Sequence, residues 1–202
     1  MLNCIPPALW PIDLTKSSDL CLNCGLCCDG TLFSNVVVTA EGVSPVVAEA
    51  GFRLSPDGKS FVQPCQALRS RRCSVYADRP ATCRTFRCKL LRALERGTID
   101  VDAATGLVAQ ASAQRDCIRR DLAGLGPEWA GHSLDGMVFP LEARMKDAQA
   151  LDDKRKIASV ILKLLVLRQF LGVHFLNTDG RLGAAKVPSS PSPEAKSVIT
   201  GT

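Results

Sequence analysis

Eight cysteines falling in two groups of four constrain this chain more than anything else in it. The first group is Cys21-x2-Cys24-x2-Cys27-Cys28 and the second is Cys65-x7-Cys73-x9-Cys83-x4-Cys88. A C-x2-C pair lets one turn bring two sulfurs to an ion while the intervening backbone N–H groups point at the thiolates. Three cysteines in C-x2-C-x2-C ask the loop to wrap something larger than a single ion, as bacterial-type ferredoxins do around a [4Fe–4S] cube. The ferredoxin pattern then breaks off, because Cys28 follows Cys27 at once and no proline comes after it. Neighbouring side chains of an extended stretch point to opposite sides, so Cys27 and Cys28 are expected to serve different metals. Two four-sulfur sites, or one polynuclear cluster with a sulfur facing away, both satisfy the spacing, each completed by thiolates of the second group. As plain hydrophobes, four thiols within eight residues would be hard to pack.

Charge agrees with metal. A divalent ion held by four thiolates carries about −2 and favours nearby cations. From residue 69 to 96 the chain supplies Arg69, Arg71, Arg72, Arg79, Arg84, Arg87, Lys89, Arg92 and Arg96 against only Asp78 and Glu95, a local excess above the +5 of the whole chain. Arg79 and Arg84 are the candidate donors to cysteine sulfur, and Tyr76 is expected to be a packed aromatic with its hydroxyl satisfied. The opening residues, Met1 to Pro7, have neither a basic region nor an apolar run, which predicts no secretory signal and a reducing, cytoplasmic location. There, clustered thiols bind metal or do redox chemistry rather than form bridges. Cys4 and Cys117 lie outside the pattern and are expected to be ordinary, dispensable thiols.

With 202 residues, 46% hydrophobic and 22% charged, the chain is globular in composition. The expected fold class is α+β: a small cysteine-rich metal-binding domain of short helices, hairpins and loops, with a helical C-terminal half. Residues 1–16 read as an extended lead, 17–96 as the metal-binding domain, 97–185 as a mixed and then helical part, and 186–202 as a disordered tail. Residues 17–30 suggest a knuckle-like loop, 32–38 a strand, and Gly42 to Ala50 a short helix stopped by Gly51. A hairpin is expected around Ser55-Pro56-Asp57-Gly58-Lys59. Cys83 to Arg96 suits one helix ended by Gly97, and 98–101 with 107–111 suits a second hairpin around Gly106. Beyond Pro127, Leu141, Met145, Ala148 and Leu151 keep helical spacing, and Ile157 to Gly172 form a buried helix, the pair being one bent helix or two. The apolar run from Ile157 to Val173 contains Lys163 and Arg168 and is short of a membrane span.

The cysteines with Gly25, and the run Cys73-Ser-Val-Tyr76-x2-Arg79-Pro80-x2-Cys83-Arg84-x-Phe86-x-Cys88, resemble the CxxCxxCC family of zinc- or iron-chelating domains, the YkgJ-like proteins. The resemblance covers roughly residues 17 to 95. It implies a small metal domain in a mostly uncharacterised family, one relative of which is associated with methylation of flagellin lysines. In many relatives a proline precedes the last cysteine; here Arg87 does. Residues 97 to 185 show no methyl-donor motif.

The sequence thus points to an intracellular protein that holds an iron–sulfur cluster, slightly favoured, or zinc through Cys21, Cys24, Cys27, Cys28, Cys65, Cys73, Cys83 and Cys88. An iron–sulfur enzyme acting in electron transfer or protein modification is one alternative, and no catalytic residue is identifiable for it. A zinc-stabilised basic module that binds RNA or a protein, the latter through the C-terminal helices, is another. Aromatics at 5% and a pI of about 8.7 weigh against nucleic acid. His132 and His174 are isolated in sequence, and Gly124-x-Gly126 lacks the rest of a phosphate-binding fingerprint.

Overall fold

The computed structural model describes residues 17–38 and 49–176. The expected lead and tail, and nearly all of the helix expected from Gly42, lie outside the described residues. What is described is α+β, with short hairpins in the cysteine-rich part and helices thereafter.

The first cysteine group is not all loop. Ser17–Cys24 is a helix, α1, with Asp19 in its first turn facing the positive end of the helix dipole. Asn23 Nδ2 donates to Asp19 O (2.8 Å). Gly25, at φ 70°, takes the left-handed position that stops the helix. No other residue fits there, since a Cβ on Gly25 would lie 2.9 Å from the carbonyl oxygen of Arg71. Strand β1 (Asn35–Val37) pairs antiparallel with β2 (Ser60–Val62), Val36 opposite Phe61. The turn expected at residues 55–59 is present, closed by Gly58 N donating to Ser55 O at 2.8 Å. Its incoming arm, however, makes only a single bridge, Leu54 to Phe61, because β2 gives its regular ladder to β1. Strands β3 (Leu68–Arg69) and β4 (Arg72–Cys73) form a tight hairpin. Its two-residue turn holds Ser70 and Arg71 at positive φ, 47° and 70°.

The single helix expected from Cys83 is two: α2 (Ala81–Thr85) and α3 (Lys89–Glu95). The break lets Phe86 meet Phe33 edge-on, ring centroids 5.4 Å apart. It also frees Cys88 to cap α3, its sulfur accepting from Leu91 N at 3.3 Å. The second hairpin expected around Gly106 is absent. Val101–Leu125 is one helix of 25 residues, α4, started by Asp100, whose carboxylate accepts from Ala103 N at 2.7 Å. Its buried positions Ala104, Val108, Ala111, Arg115, Ile118 and Leu122 recur every three or four residues, a helical period that outweighs the weak turn signal of one glycine. Gly126 ends it, followed by a 3₁₀ turn at Pro127–Trp129. Helices α5 (Val138–Asp147) and α6 (Leu151–His174) are separate, parted at residues 148–150.

One apolar core joins the cysteine-rich part to the helices: Leu20, Leu26 and Leu32 pack with Leu90 and Leu91, with α4, and with α6 as far as Phe175. A second, smaller core gathers Val36, Phe61, Cys65, Ala67 and Val75. Helix α6 buries only one face, Ile157, Val160, Leu164, Leu167 and Leu171. Its opposite face exposes Leu162, Leu165, Val166 and Val173, so the expectation of a buried helix holds for half of it. By length and composition alone α6 could cross a membrane.

A buried ion pair fastens α4 to the end of the first cysteine group. Arg115 Nη1 lies 2.8 Å from Asp29 Oδ2, the side chains only 6% and 13% exposed, and Arg119 Nη2 donates to Asp29 O at 2.5 Å. Removing one partner of such a pair strands the other charge. Arg115→Met is therefore expected to cost about 3 kcal/mol in urea unfolding. The double change with Asp29→Asn, which removes the stranded charge, should recover part of that loss.

Candidate metal centre

The turn after α1 sets the geometry of the first group. Gly25 O accepts from both Cys28 N (3.0 Å) and Asp29 N (2.9 Å), so the chain curls tightly over Cys27 and Cys28. On α1, Cys21 and Cys24 stand three residues apart, the spacing that places two side chains on one helix face. The second group arrives at the same place: Cys65 N donates to Cys28 O at 2.7 Å. Two stretches nearly forty residues apart in sequence are thus joined backbone to backbone.

The thiols line two adjoining cavities. One, of about 80 Å³, takes Cys65, Cys73 and Cys83. The other, of about 60 Å³, takes Cys24 and Cys88. Cys21, Cys27 and Cys28 face both. The two apolar cores divide the thiols more sharply. Cys24, Cys27 and Cys88 pack against the large core, while Cys28, Cys65, Cys73 and Cys83 belong to the small one. Cys27 and Cys28 therefore go to opposite sides, and Cys21 is the exposed member at the rim. Among the described residues no three His, Cys, Asp or Glu side chains sit close enough together to grip one bare ion; the sulfurs surround space instead.

Loss of water favours the neutral thiol at Cys21, Cys24, Cys27, Cys28, Cys65, Cys83 and Cys88. Burial pushes Cys24 up to about 12, offset in part by the backbone N–H of Leu26 and reinforced by Cys88. Burial also takes Cys83 to about 12, with Cys65 and Cys73 adding to the rise. Cys28 is raised by burial and then by Cys65, Cys73 and Cys83, and Cys27 by burial and then by Cys28, Cys24 and Cys88. Cys65 and Cys88 are raised by burial too, against the pull of the Ala67 and Leu91 N–H groups. Loss of water around its sulfur raises Cys21, while Arg79, Arg87 and a hydrogen bond from Tyr76 oppose the rise.

Arg79 stacks its guanidinium on Tyr76, 3.7 Å from the ring centroid, and lines the larger cavity. Its Nε is buried with no hydrogen-bond partner. An orphaned cationic donor beside sulfurs is what a negatively charged thiolate set would satisfy. Among the described residues neither cavity wall holds a carboxylate or imidazole, leaving the thiols as the metal-binding set, and soft sulfur ligands suit zinc and iron–sulfur clusters. The residues present fit such a group. Arg84 is exposed and lines neither cavity. His132 offers its backbone oxygen to Arg119, and the His174 ring rests on Phe170, 4.7 Å between centroids.

Two features went unread in the sequence. Cys117, expected to be an ordinary thiol, is disulfide-bonded; the expectation for Cys4 lies outside the described residues. A single cysteine inside a helix carried no spacing signal of pairing. Gln63, 4% exposed, lines the larger cavity. Only its place two residues before Cys65 could have flagged it.

No curated protein and no solved structure matches the chain. Residues 20–105 match the model of the CxxCxxCC family, described as "Putative zinc- or iron-chelating domain". That stretch runs from α1 through the last of the eight thiols to the start of α4, so the match takes in both cysteine groups.

Proposed function

We propose that this domain holds metal in two adjoining sulfur-only sites. One is formed by Cys21, Cys24, Cys27 and Cys88, the other by Cys28, Cys65, Cys73 and Cys83. The observation that carries the reading is the division of Cys27 and Cys28 between two apolar cores, each already holding thiols of the second group. Iron–sulfur is favoured over zinc. That slight preference rests on the C-x2-C-x2-C run; sulfurs around cavities of about 80 and 60 Å³ fit either group. When bound, either metal would replace the protons on the thiols and supply much of the folding free energy. The chain's own contribution is to exclude water with Phe33, Phe61 and Phe86 and to bring cationic donors such as Arg79 to the sulfurs.

A cytoplasmic setting belongs to this reading, since it keeps eight thiols reduced; the bridge at Cys117 is the feature at odds with it. The enzyme reading finds its support in Cys21, the exposed thiol, at which an iron could exchange its fourth ligand for substrate. A protein partner would find its apolar surface on α6, at Leu162, Leu165, Val166 and Val173.

Anaerobic purification followed by elemental analysis and a visible spectrum tests the metal, and two variants test the division. Cys83→Ser and Cys88→Ser should each lower metal content by about half, and the two together should remove nearly all of it. Complete loss from either single variant would merge the sites into one.

The raised thiols set a pH dependence in the metal-free chain. Because the folded-state values of Cys24 and Cys83, about 12, lie above the ordinary 9.0, the neutral form is favoured by folding. Their contribution is complete below pH 9 and is lost as pH climbs from there toward 12. Urea midpoints of the metal-free protein should accordingly fall above about pH 9, while those of the loaded protein, already in thiolate form, should hold steady over the same range.

A further inference from the structure

The larger cavity also contains an orphaned polar atom of a kind opposite to Arg79 Nε. Gln63 follows β2, its backbone N–H anchored on Ser34 O at 2.9 Å. Its side chain is almost wholly buried at 4% exposure, and its Oε1 is buried with no hydrogen-bond partner. The wall it shares with Cys28, Cys65, Cys73 and Cys83 is otherwise largely apolar, built from residues such as Phe52, Phe61 and Val75. The two hydroxyls there are engaged elsewhere. Thr82 donates its hydroxyl to Val37 O at 2.8 Å, and Tyr76 bonds to Cys21. An apolar residue of the same length would fill this position without leaving a buried carbonyl unpaired, so the amide asks for an explanation.

A carboxamide is the neutral side chain that can present either an acceptor or N–H donors from one position by turning half a revolution about its last bond. Four thiolates around a cation carry net negative charge and need donors. We infer that Gln63 is a positioning residue for the Cys28–Cys65–Cys73–Cys83 site: with metal bound, its carboxamide donates Nε2–H to a thiolate of that set and not to the Cys24–Cys88 side. This inference rests on the two-site reading and adds to it which neutral residue steadies one site alone. Hydrogen-bonding partners just outside a metal's ligands typically change affinity by about 10–100-fold.

The test uses the full metal-free chain titrated with cobalt(II), followed through its sulfur-to-cobalt charge-transfer bands and by chelator competition. Wild-type protein should take up two equivalents if each site holds one ion. In Gln63→Met, similar in size but without a donor, the number bound should be unchanged, one ion should bind about 10–100-fold more weakly, and the other should bind as before. Its charge-transfer band should shift for that ion alone. Gln63→Glu, which keeps the shape and adds negative charge, should weaken the same ion at least as much. Affinities and bands unchanged in both variants would overturn the assignment, as would equal weakening of both ions with a lowered melting temperature of the metal-free protein. Should Gln63→Met fail to fold, the Gln63→Glu result decides alone. Wild-type protein that takes up no cobalt and also carries neither iron nor zinc after anaerobic purification would end the metal reading itself, an outcome separate from failure at Gln63.

Discussion

One hydrogen bond and one turn hold the two halves of the sulfur set together. Gly25 O receives Cys28 N and Asp29 N, and Cys28 O in turn receives Cys65 N. Without the first, Cys27 and Cys28 would not be presented from a tight curve; without the second, the later thiols would have no fixed position relative to the earlier ones. Gly25 is indispensable to both, because its positive φ and its 2.9 Å approach to Arg71 O leave no room for a side chain. Here the backbone rather than the thiols does the locating, and the eight cysteines stand free of bridges to one another.

The long helices are the frame on which that turn is mounted. Arg115 and Arg119 on α4 reach Asp29 immediately after the paired cysteines, and Ser133, beyond α4, donates to Gly30 O at 2.6 Å. Lys163 on α6 meets Asp121 on α4 at 2.6 Å, locking the two helices to each other. Residues far outside the metal-chelating segment thus determine how firmly its loop is held. The large core reinforces this, because Leu20 and Leu26, interleaved with the thiols of the first group, are buried among α4 and α6 side chains. Sulfur and leucine alternate along the same short stretch, and each fixes the other.

Much of the site was legible in the sequence because spacing between cysteines is a constraint on geometry. The opposite directions of Cys27 and Cys28, the approach of Arg79, and the engaged hydroxyl of Tyr76 all follow from local rules. Arg84 has the same charge and a similar distance in sequence, yet it points to solvent, since which side of a five-residue helix faces the cavity depends on packing with Val37 and Phe33 that no local rule contains. The α4 region was misread because Asp102-Ala-Ala-Thr-Gly106 resembles a turn over five residues and shows its helical period only over twenty-five. Cys88 caps a helix only because the chain breaks after Thr85, and the burial of Gln63 depends on segments distant in sequence. The disulfide at Cys117 is likewise a matter of three-dimensional proximity.

The central claim is that the metal sees sulfur and nothing else, in sets of four. X-ray absorption at the metal edge of the loaded, full-length chain counts those ligands directly. The account predicts a first shell of four sulfur scatterers per metal, at about 2.3 Å for zinc, with an additional iron shell if the group is a cluster. A first shell containing nitrogen or oxygen in place of half the sulfurs would contradict it.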